Sequence, residues 1–288
     1  MPPTILVVGS LHYDIMVEAD HLPRRDETAV GTRWYPKFGG KGGNQAVAVA
    51  RAGGHARMLG AVGDDDFATF LLDRLTAAGV DTDLVATLPG AGSGMSVAIV
   101  DASGDYAATI VSGANRQIDP GRLAQDAVWA DVAMLVLQNE VPEAVNLAAA
   151  RAARVRHIPV VLNAAPARDL APEFATLVDV LVVNTVEAEM MGTAPVTSLE
   201  SAAAAVERLL RDYASVVVTA GGLGLAAATR SAGVIEIPAE PVKVVSTHGA
   251  GDCFTGALVW DLASGAPLEM ACRSAAHAAA LHVSTNPA

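Results

Sequence analysis

Lysine is almost missing from this chain: only Lys37, Lys41 and Lys243 occur in 288 residues. Asp and Glu outnumber Lys and Arg by 31 to 19, which leaves a formal net charge of −12. Phosphate backbones demand basic stripes, so nucleic acid is excluded as the expected partner. A small anionic ligand is not excluded, because one local cation can outweigh a distant field. Cys253 and Cys272 are the only cysteines. Two cysteines cannot build a disulfide framework or a Cys-based zinc site, and the histidines show no metal-ligand spacing. No apolar run reaches membrane-spanning length, and even Val178–Val183 is short and flanked by polar residues. No basic leader with an apolar stretch stands at the start, where Met-Pro-Pro-Thr runs straight into a strand pattern. The expectation is therefore no signal peptide, no membrane partner and a cytoplasmic location.

What the chain does have is core-forming material. Hydrophobic residues make up 52% and charged residues 17%, a balance that suits a large buried core. Thr4–Gly9 is an aliphatic run of the kind found in buried parallel strands. Ile15–Ala19 and Ala29–Phe38 are amphipathic and β-prone, Gly42–Arg51 predicts a helix, Ala56–Val62 a buried strand and Phe67–Ala78 a helix stopped by Gly79. Met95–Asp101 and Tyr106–Val111 predict a hairpin turning at Ser103-Gly104. Strands at Val132–Leu137, Val160–Asn163, Val180–Val183 and Ser215–Thr219 then alternate with helices at Glu143–Arg156, Val186–Met191 and Leu199–Tyr213. Leu225–Thr229 and Val234–Ile237 add strands, and helices near Gly251–Ala263 and Pro267–Val283 close the chain. This alternation predicts an α/β fold with a mainly parallel central sheet and helices on both faces. Ligands in such sheets bind beyond the carboxyl ends of the strands. The early β-prone segments interrupt the alternation and suit a small separate sheet.

Two glycine-rich helix starts carry most of the chemistry. Phe38-Gly-Gly-Lys-Gly-Gly-Asn-Gln-Ala46 surrounds Lys41 with glycines and opens a helix bearing Asn44. Glycine lets backbone approach a ligand closely, and a helix start presents free N–H groups. The spacing is not that of a Walker A loop, and a flexible turn with a helix cap is the alternative. His248-Gly-Ala-Gly-Asp-Cys-Phe-Thr-Gly-Ala257 also opens an apolar helix. Its small residues let N–H groups converge on an anion. Asp252, in the first turn, is favoured there as a carboxylate and is placed to take a proton from an alcohol attacking phosphorus. An ordinary helix-capping aspartate is the alternative.

Further polar residues stand at strand ends. Asp14 follows the first strand, and Glu140 follows Val132–Leu137; each suits a grip on hydroxyls or a plain turn. Asn184-Thr-Val-Glu187 suits a capping box and is compatible with a metal-water role. Thr219-Ala-Gly-Gly-Leu-Gly224 is a strand followed by a turn that a nucleotide can use. No GxGxxG fingerprint follows the first strand, which argues against hydride transfer. Cys253 is expected to pack rather than to react.

In order and spacing these segments resemble the ribokinase-like (PfkB) carbohydrate kinase family, from Gly9 to about Val283. Phe38–Ala46 and Ser246–Ala257 resemble its two signatures, Asn184–Glu187 its NxxE motif, and Asn163–Ala167 and Ser112-Gly-Ala-Asn115 further family segments. The resemblance implies a ribokinase-like fold over residues 1–288 as a single domain, with a small β-sheet lid from about 15–38 and 95–111 that also mediates homodimerisation. It implies an ATP-dependent phosphotransferase acting on a hydroxymethyl group of a small sugar, ribose first. Asp252 is then the general base, and the N–H groups of Gly249, Ala250 and Gly251 form the anion hole. Asp14, Gly40, Lys41, Asn44 and Glu140 contact the sugar. Asn184 and Glu187 position Mg²⁺ through water, and Thr219, Gly221 and Gly224 form the nucleotide loop.

The chain departs from the family pattern at His12-Tyr13, where small residues are usual, and at Ser246, where a potassium-binding aspartate is typical. His12 or Tyr13 is expected to touch the substrate, and their rings motivate a nucleoside as the alternative acceptor. A catalytically inactive sugar- or nucleotide-binding regulator is the alternative of another class. Strong activation by a monovalent cation is not expected, so exchanging Na⁺ for K⁺ should leave turnover nearly unchanged. A many-fold rise would contradict this.

Overall fold

The computed structural model describes residues 2–103 and 106–285. Its elements run β1 (Thr4–Val8), β2 (His12–Ala19), β3 (Gly31–Gly39), α1 (Lys41–Arg51), β4 (His55–Gly63), α2 (Asp66–Ala77) and β5 (Asp81–Leu88). Then come β6 (Met95–Val100), β7 (Tyr106–Val111), β8 (Val132–Gln138), α3 (Glu143–Val155), β9 (Val160–Asn163), α4 (Pro172–Thr176) and β10 (Val180–Asn184). The chain continues through α5 (Thr185–Met190), α6 (Leu199–Leu209), β11 (Ser215–Thr219), β12 (Gly224–Thr229), β13 (Ile235–Pro238), α7 (Ala250–Ala263) and α8 (Leu268–Ser284).

Nine strands form one sheet in the order β13-β12-β11-β10-β9-β8-β1-β4-β5, parallel from β5 to β11 and antiparallel at β12 and β13. β1 is buried along its whole length because helices cover both faces. Its alternate residues feed two cores. Ile5 and Val7 pack with residues of α1, α2, α7 and α8, while Leu6 and Val8 pack with residues of α3, α4, α5 and α6. β2, β3, β6 and β7 form a separate small sheet in the order β3-β2-β6-β7, with β2 and β6 parallel and the outer pairs antiparallel.

Two features of this fold set up the site. The parallel strands β1, β8, β9, β10 and β11 all end on one edge of the large sheet. There, Val8 pairs with Leu137, Gln138 with Asn163, and Asn184 with Thr219. Helices α1 and α7 also lie unusually close. A Cβ on Gly256 would stand 2.4 Å from the Ala48 Cβ, so only glycine lets the two helices touch.

Most expected elements are present, with ends moved by one to a few residues. The helix expected over Leu199–Tyr213 ends at Leu209. The strand expected from Ile15 begins at His12. β5 escapes the pattern because its outer-edge sequence DTDLVATL alternates polar residues without a clear apolar face. Of the expected Ser103-Gly104 turn, Gly104 lies outside the described residues.

Candidate active site

The site grows from the end of β1. The chain passes through Gly9 and Ser10 into β2, returns along β3, and enters α1 at Gly40 with φ of 87°. A Cβ there would stand 2.7 Å from the Ser10 carbonyl oxygen and 2.8 Å from the His12 nitrogen. The glycines thus let the α1 start lie directly on β1. Gly43 N–H donates to the Ser10 carbonyl at 2.9 Å. Lys41 N–H donates at 2.8 Å to Oε2 of Glu140, which also accepts from the Ser10 hydroxyl. Glu140, two residues beyond β8, is therefore held at a helix start, where negative charge is favoured.

The second helix start faces the first. Gly249 adopts the left-handed conformation, φ 76°, and α7 begins at Ala250. Asp252 is buried in its first turn, and both carboxylate oxygens are held by α1. Oδ2 accepts from Asn44 Nδ2 at 3.2 Å and Oδ1 from Gln45 Nε2 at 2.9 Å. Gln45 Nε2 also reaches Asn163 Oδ1 at 3.1 Å, and Gln45 Oε1 accepts from Gln138 Nε2 at 2.8 Å. This buried amide chain fixes the carboxylate between α1 and the sheet edge. Burial raises the pKa of Asp252 above the usual carboxylate value, opposed by the Lys41 charge and the Gln45 and Asn44 donors. The expected dipolar stabilisation at the helix start is thus outweighed by loss of water, and the carboxylate becomes a stronger base.

The small sheet supplies a third wall. His12, Asp14, Lys37 and Gly39 share its face toward the cleft, by the register His12–Gly39 and Asp14–Lys37. Asp14 accepts from the Ser96 hydroxyl at 2.5 Å, and burial raises its pKa. A Cβ on Gly39 would meet Asp14 Oδ2 at 2.0 Å. His12 is buried, with Nδ1 3.9 Å from Glu140 Oε2 and Nε2 without a hydrogen-bond partner. Tyr13 does not join it. Alternation along β2 turns Tyr13 to the opposite face, where it stacks on Phe67 at 4.1 Å between centroids and meets Phe70 edge-on. The expectation that Tyr13 could face the ligand is corrected: its ring is a packing surface for α2.

The remaining sequence-picked residues extend along the same edge. Asn184 and Glu187 form the capping box of α5, with Glu187 N donating to Asn184 Oδ1 and Asn184 N to Glu187 Oε2, both at 2.8 Å. Glu187 is buried, which raises its pKa, and it feels the charges of Lys41 and Asp252. Thr219 ends β11, and its hydroxyl donates to the Val183 carbonyl at 3.3 Å. Gly221 and Gly224 adopt positive φ, 54° and 116°, in the exposed turn that follows. A Cβ on Gly224 would meet the Ile237 carbonyl oxygen at 2.1 Å. Among the described residues no hydrogen bond joins this turn to the Asp252 cluster.

Sequence inspection passes over Ser10, Gln45, Ser96 and Gln138. Gln45 carries a usable signal, a large polar residue that joins Asn44 just before the small apolar stretch Ala46–Ala50. Ser10 and Ser96 carry none, because a serine beside a glycine or in a strand is commonplace.

Comparison with known proteins gives a consistent result. The family model described as pfkB family carbohydrate kinase matches residues 3–287. A ribokinase of Bacillus subtilis is 37% identical over 280 residues, covering 97% of this chain and 92% of its own length. A deoxyribokinase of Salmonella typhi is 33% identical over 284 residues, covering 97% and 92%. The structure of Arabidopsis thaliana ribokinase complexed with ribose and ATP superposes with a TM-score of 0.92 at 28% identity, over 100% of this chain and 95% of that one.

Proposed function

The chain belongs to the pfkB family of carbohydrate kinases, and on that footing we propose that it transfers the γ-phosphate of ATP to the hydroxymethyl group of ribose. It is an ATP-dependent phosphotransferase acting on a sugar hydroxyl. The observation that carries the mechanism is the clamped, buried Asp252, bound from α1 and standing at the start of α7.

Asp252 takes the hydroxyl proton as the sugar oxygen attacks phosphorus, and its raised pKa suits that task. The N–H groups of Gly249 and Gly251, with that of Ala250 once it leaves the Thr247 carbonyl it reaches at 3.3 Å, receive the charge gathering on the phosphoryl oxygens. His12, Asp14, Gly40, Lys41, Asn44 and Glu140 hold the sugar. Asn184, Thr219, Gly221 and Gly224 serve the nucleotide. Among the described residues no group of three or more acidic, His or Cys side chains forms a metal cage. Mg²⁺, when bound, would be held largely through its waters and would need only one or two carboxylates of the chain. Buried Glu187 fits as the carboxylate that holds those waters. When bound, the ion neutralises phosphate charge.

The small sheet acts as a lid that excludes water. Its outer face carries Ile15, Val17 and the exposed Trp34 around a shallow hollow of about 360 Å³, and we assign this face to a homodimer contact. Among the described residues no helix is long and apolar enough to cross a membrane. Both cysteines are free thiols, which fits the cytoplasm.

An ADP-release assay over ribose, 2-deoxyribose, hexoses and nucleosides tests the reading. ADP release dependent on ribose is expected; no release with any acceptor of the panel would leave only a binding protein. With Tyr13 turned away from the cleft, only the His12 ring is left to stack on a base, which favours ribose over a nucleoside.

Two variants sharpen the assignment. His12→Asn is expected to change the ratio of kcat/KM between ribose and 2-deoxyribose by about tenfold, a value typical of one polar contact. An unchanged ratio would remove His12 from the substrate. Asn44→Ala takes one donor from the ionised Asp252. Its pKa then rises further, so the acid-side loss of kcat should begin at higher pH than in the wild type. A pH–rate profile whose acid limb stays put, or moves down, would contradict Asp252 as the titrating base.

A further inference from the structure

Lys37 has no part in the mechanism so far, yet two of the chain's three lysines, Lys37 and Lys41, belong to one cleft. Lys37 lies on β3 directly opposite Asp14, on the face that carries His12, Asp14 and Gly39. Opposite charges in such cross-strand positions ordinarily pair. Here no Lys37–Asp14 ion pair forms within 4.0 Å among the described residues, and Asp14 accepts from Ser96 instead. The side chain is partly buried with no hydrogen bond of its own among the described residues, and the Asp14 charge acts on it only at longer range, so its donors are open to a ligand anion. Its charge, with that of Lys41, also reaches His248, the residue that leads into the Gly249–Gly251 turn. Lys37 thus sits opposite Asp14 on the cleft face of the small sheet, with its charge felt at the residue before the start of α7. An anionic acceptor is disfavoured as its partner, because Asp14, Glu140 and Asp252 already line the acceptor wall.

We propose that Lys37 is a catalytic cation carried by the small sheet, contacting the γ-phosphate of ATP from the acceptor side while the Gly249–Gly251 amides contact it from the other. Charge then gathers on phosphoryl oxygens held from two directions, and the reactive arrangement is complete only with the small sheet in place. The proposal rests on the kinase reading above and adds a residue to it.

The test compares wild type, Lys37→Met and Lys37→Arg. Steady-state kinetics give kcat and the KM for ribose, and calorimetry in saturating ribose gives the Kd for ADP and for the nonhydrolysable ATP analogue AMPPNP. Lys37→Met is expected to lower kcat by about 10²-fold, as for loss of one preorganised phosphoryl contact, with the ribose KM within about threefold of wild type. AMPPNP should bind about tenfold more weakly while ADP binding holds, since only the analogue has a γ-phosphate. Lys37→Arg should recover most of both losses. A wild-type kcat in Lys37→Met overturns the proposal. So does an equal weakening of ADP and AMPPNP, or a rise in ribose KM alone, which would make Lys37 an acceptor contact. Wild-type protein that neither turns over ribose nor binds AMPPNP overturns the kinase reading and this proposal together, whereas a variant-specific failure leaves the former intact.

Discussion

Replacing Asp252 with Asn is expected to lower kcat by about 10²–10⁴-fold, the range that a positioned general base supplies, while ribose still binds. The substitution keeps the side-chain volume and removes the proton acceptor. Asn44 can still donate to the remaining carbonyl oxygen, but the new amide NH2 then faces Gln45 Nε2, a donor pair whose cost is separate from that of the charge. The protein should not lose stability for want of the charge. Burial holds the folded-state pKa of Asp252 above its unfolded value. The unfolded chain therefore releases this proton first as pH rises, and stability falls as pH climbs through the folded pKa. Above the folded pKa that cost is fully present, and Asn removes it. The measurements are ADP release, ribose calorimetry and Tm at neutral pH. A near-normal kcat would strip Asp252 of its role.

The second large effect concerns a residue with no functional group. Gly42→Ala is expected to damage both stability and turnover. A Cβ at Gly42 would stand 2.6 Å from the Ser10 nitrogen, 2.7 Å from the Gly9 carbonyl carbon and 2.8 Å from the Gly9 Cα. All three are backbone atoms of the turn after β1 and cannot rotate away. Relief requires α1 to lift from the sheet, which costs about 1–3 kcal/mol as overpacking. For a chain of this size each kcal/mol lowers Tm by about 2 °C. The same movement draws Lys41 N–H from Glu140 and Asn44 and Gln45 from Asp252. A displacement of about 1 Å at reacting groups is enough for a 10²-fold loss. Gly233→Ala is the control, because nothing lies within 4 Å of the added methyl and its φ is not positive. A Gly42→Ala protein with wild-type Tm and kcat would show that the close seating of α1 is not needed.

How much of this was legible beforehand depends on which physical cue each element offers. The parallel sheet was, because β1, β8 and β10 are continuous aliphatic runs buried on both faces. The two helix starts were, because glycine clusters around Lys41 and before Asp252 each open an apolar run, although either cluster alone also suits a plain capped turn. Their meeting across one cleft was only an expectation, and the Asn44–Asp252 bond at 3.2 Å realises it. β5 was not legible, since an edge strand of polar alternation has no core face to advertise. The orientation of Tyr13 depends on where β2 begins. A strand that starts at Ile15 puts no constraint on which way His12 and Tyr13 face. Once β2 begins at His12, period two separates them. The protonation behaviour of Asp252 was also out of reach, because the helix start is local and the burial comes from residues far along the chain.

The most direct measurement is a crystal structure of the protein with ribose and AMPPNP bound together. The account requires the ribose hydroxymethyl oxygen within hydrogen-bond reach of Asp252, the other hydroxyls on the Asp14, Asn44 and Glu140 side, and the γ-phosphorus in line beyond it against the Gly249–Gly251 turn. Ribose and the γ-phosphate seated on different surfaces, or a ribose presenting no hydroxyl to Asp252, would contradict it.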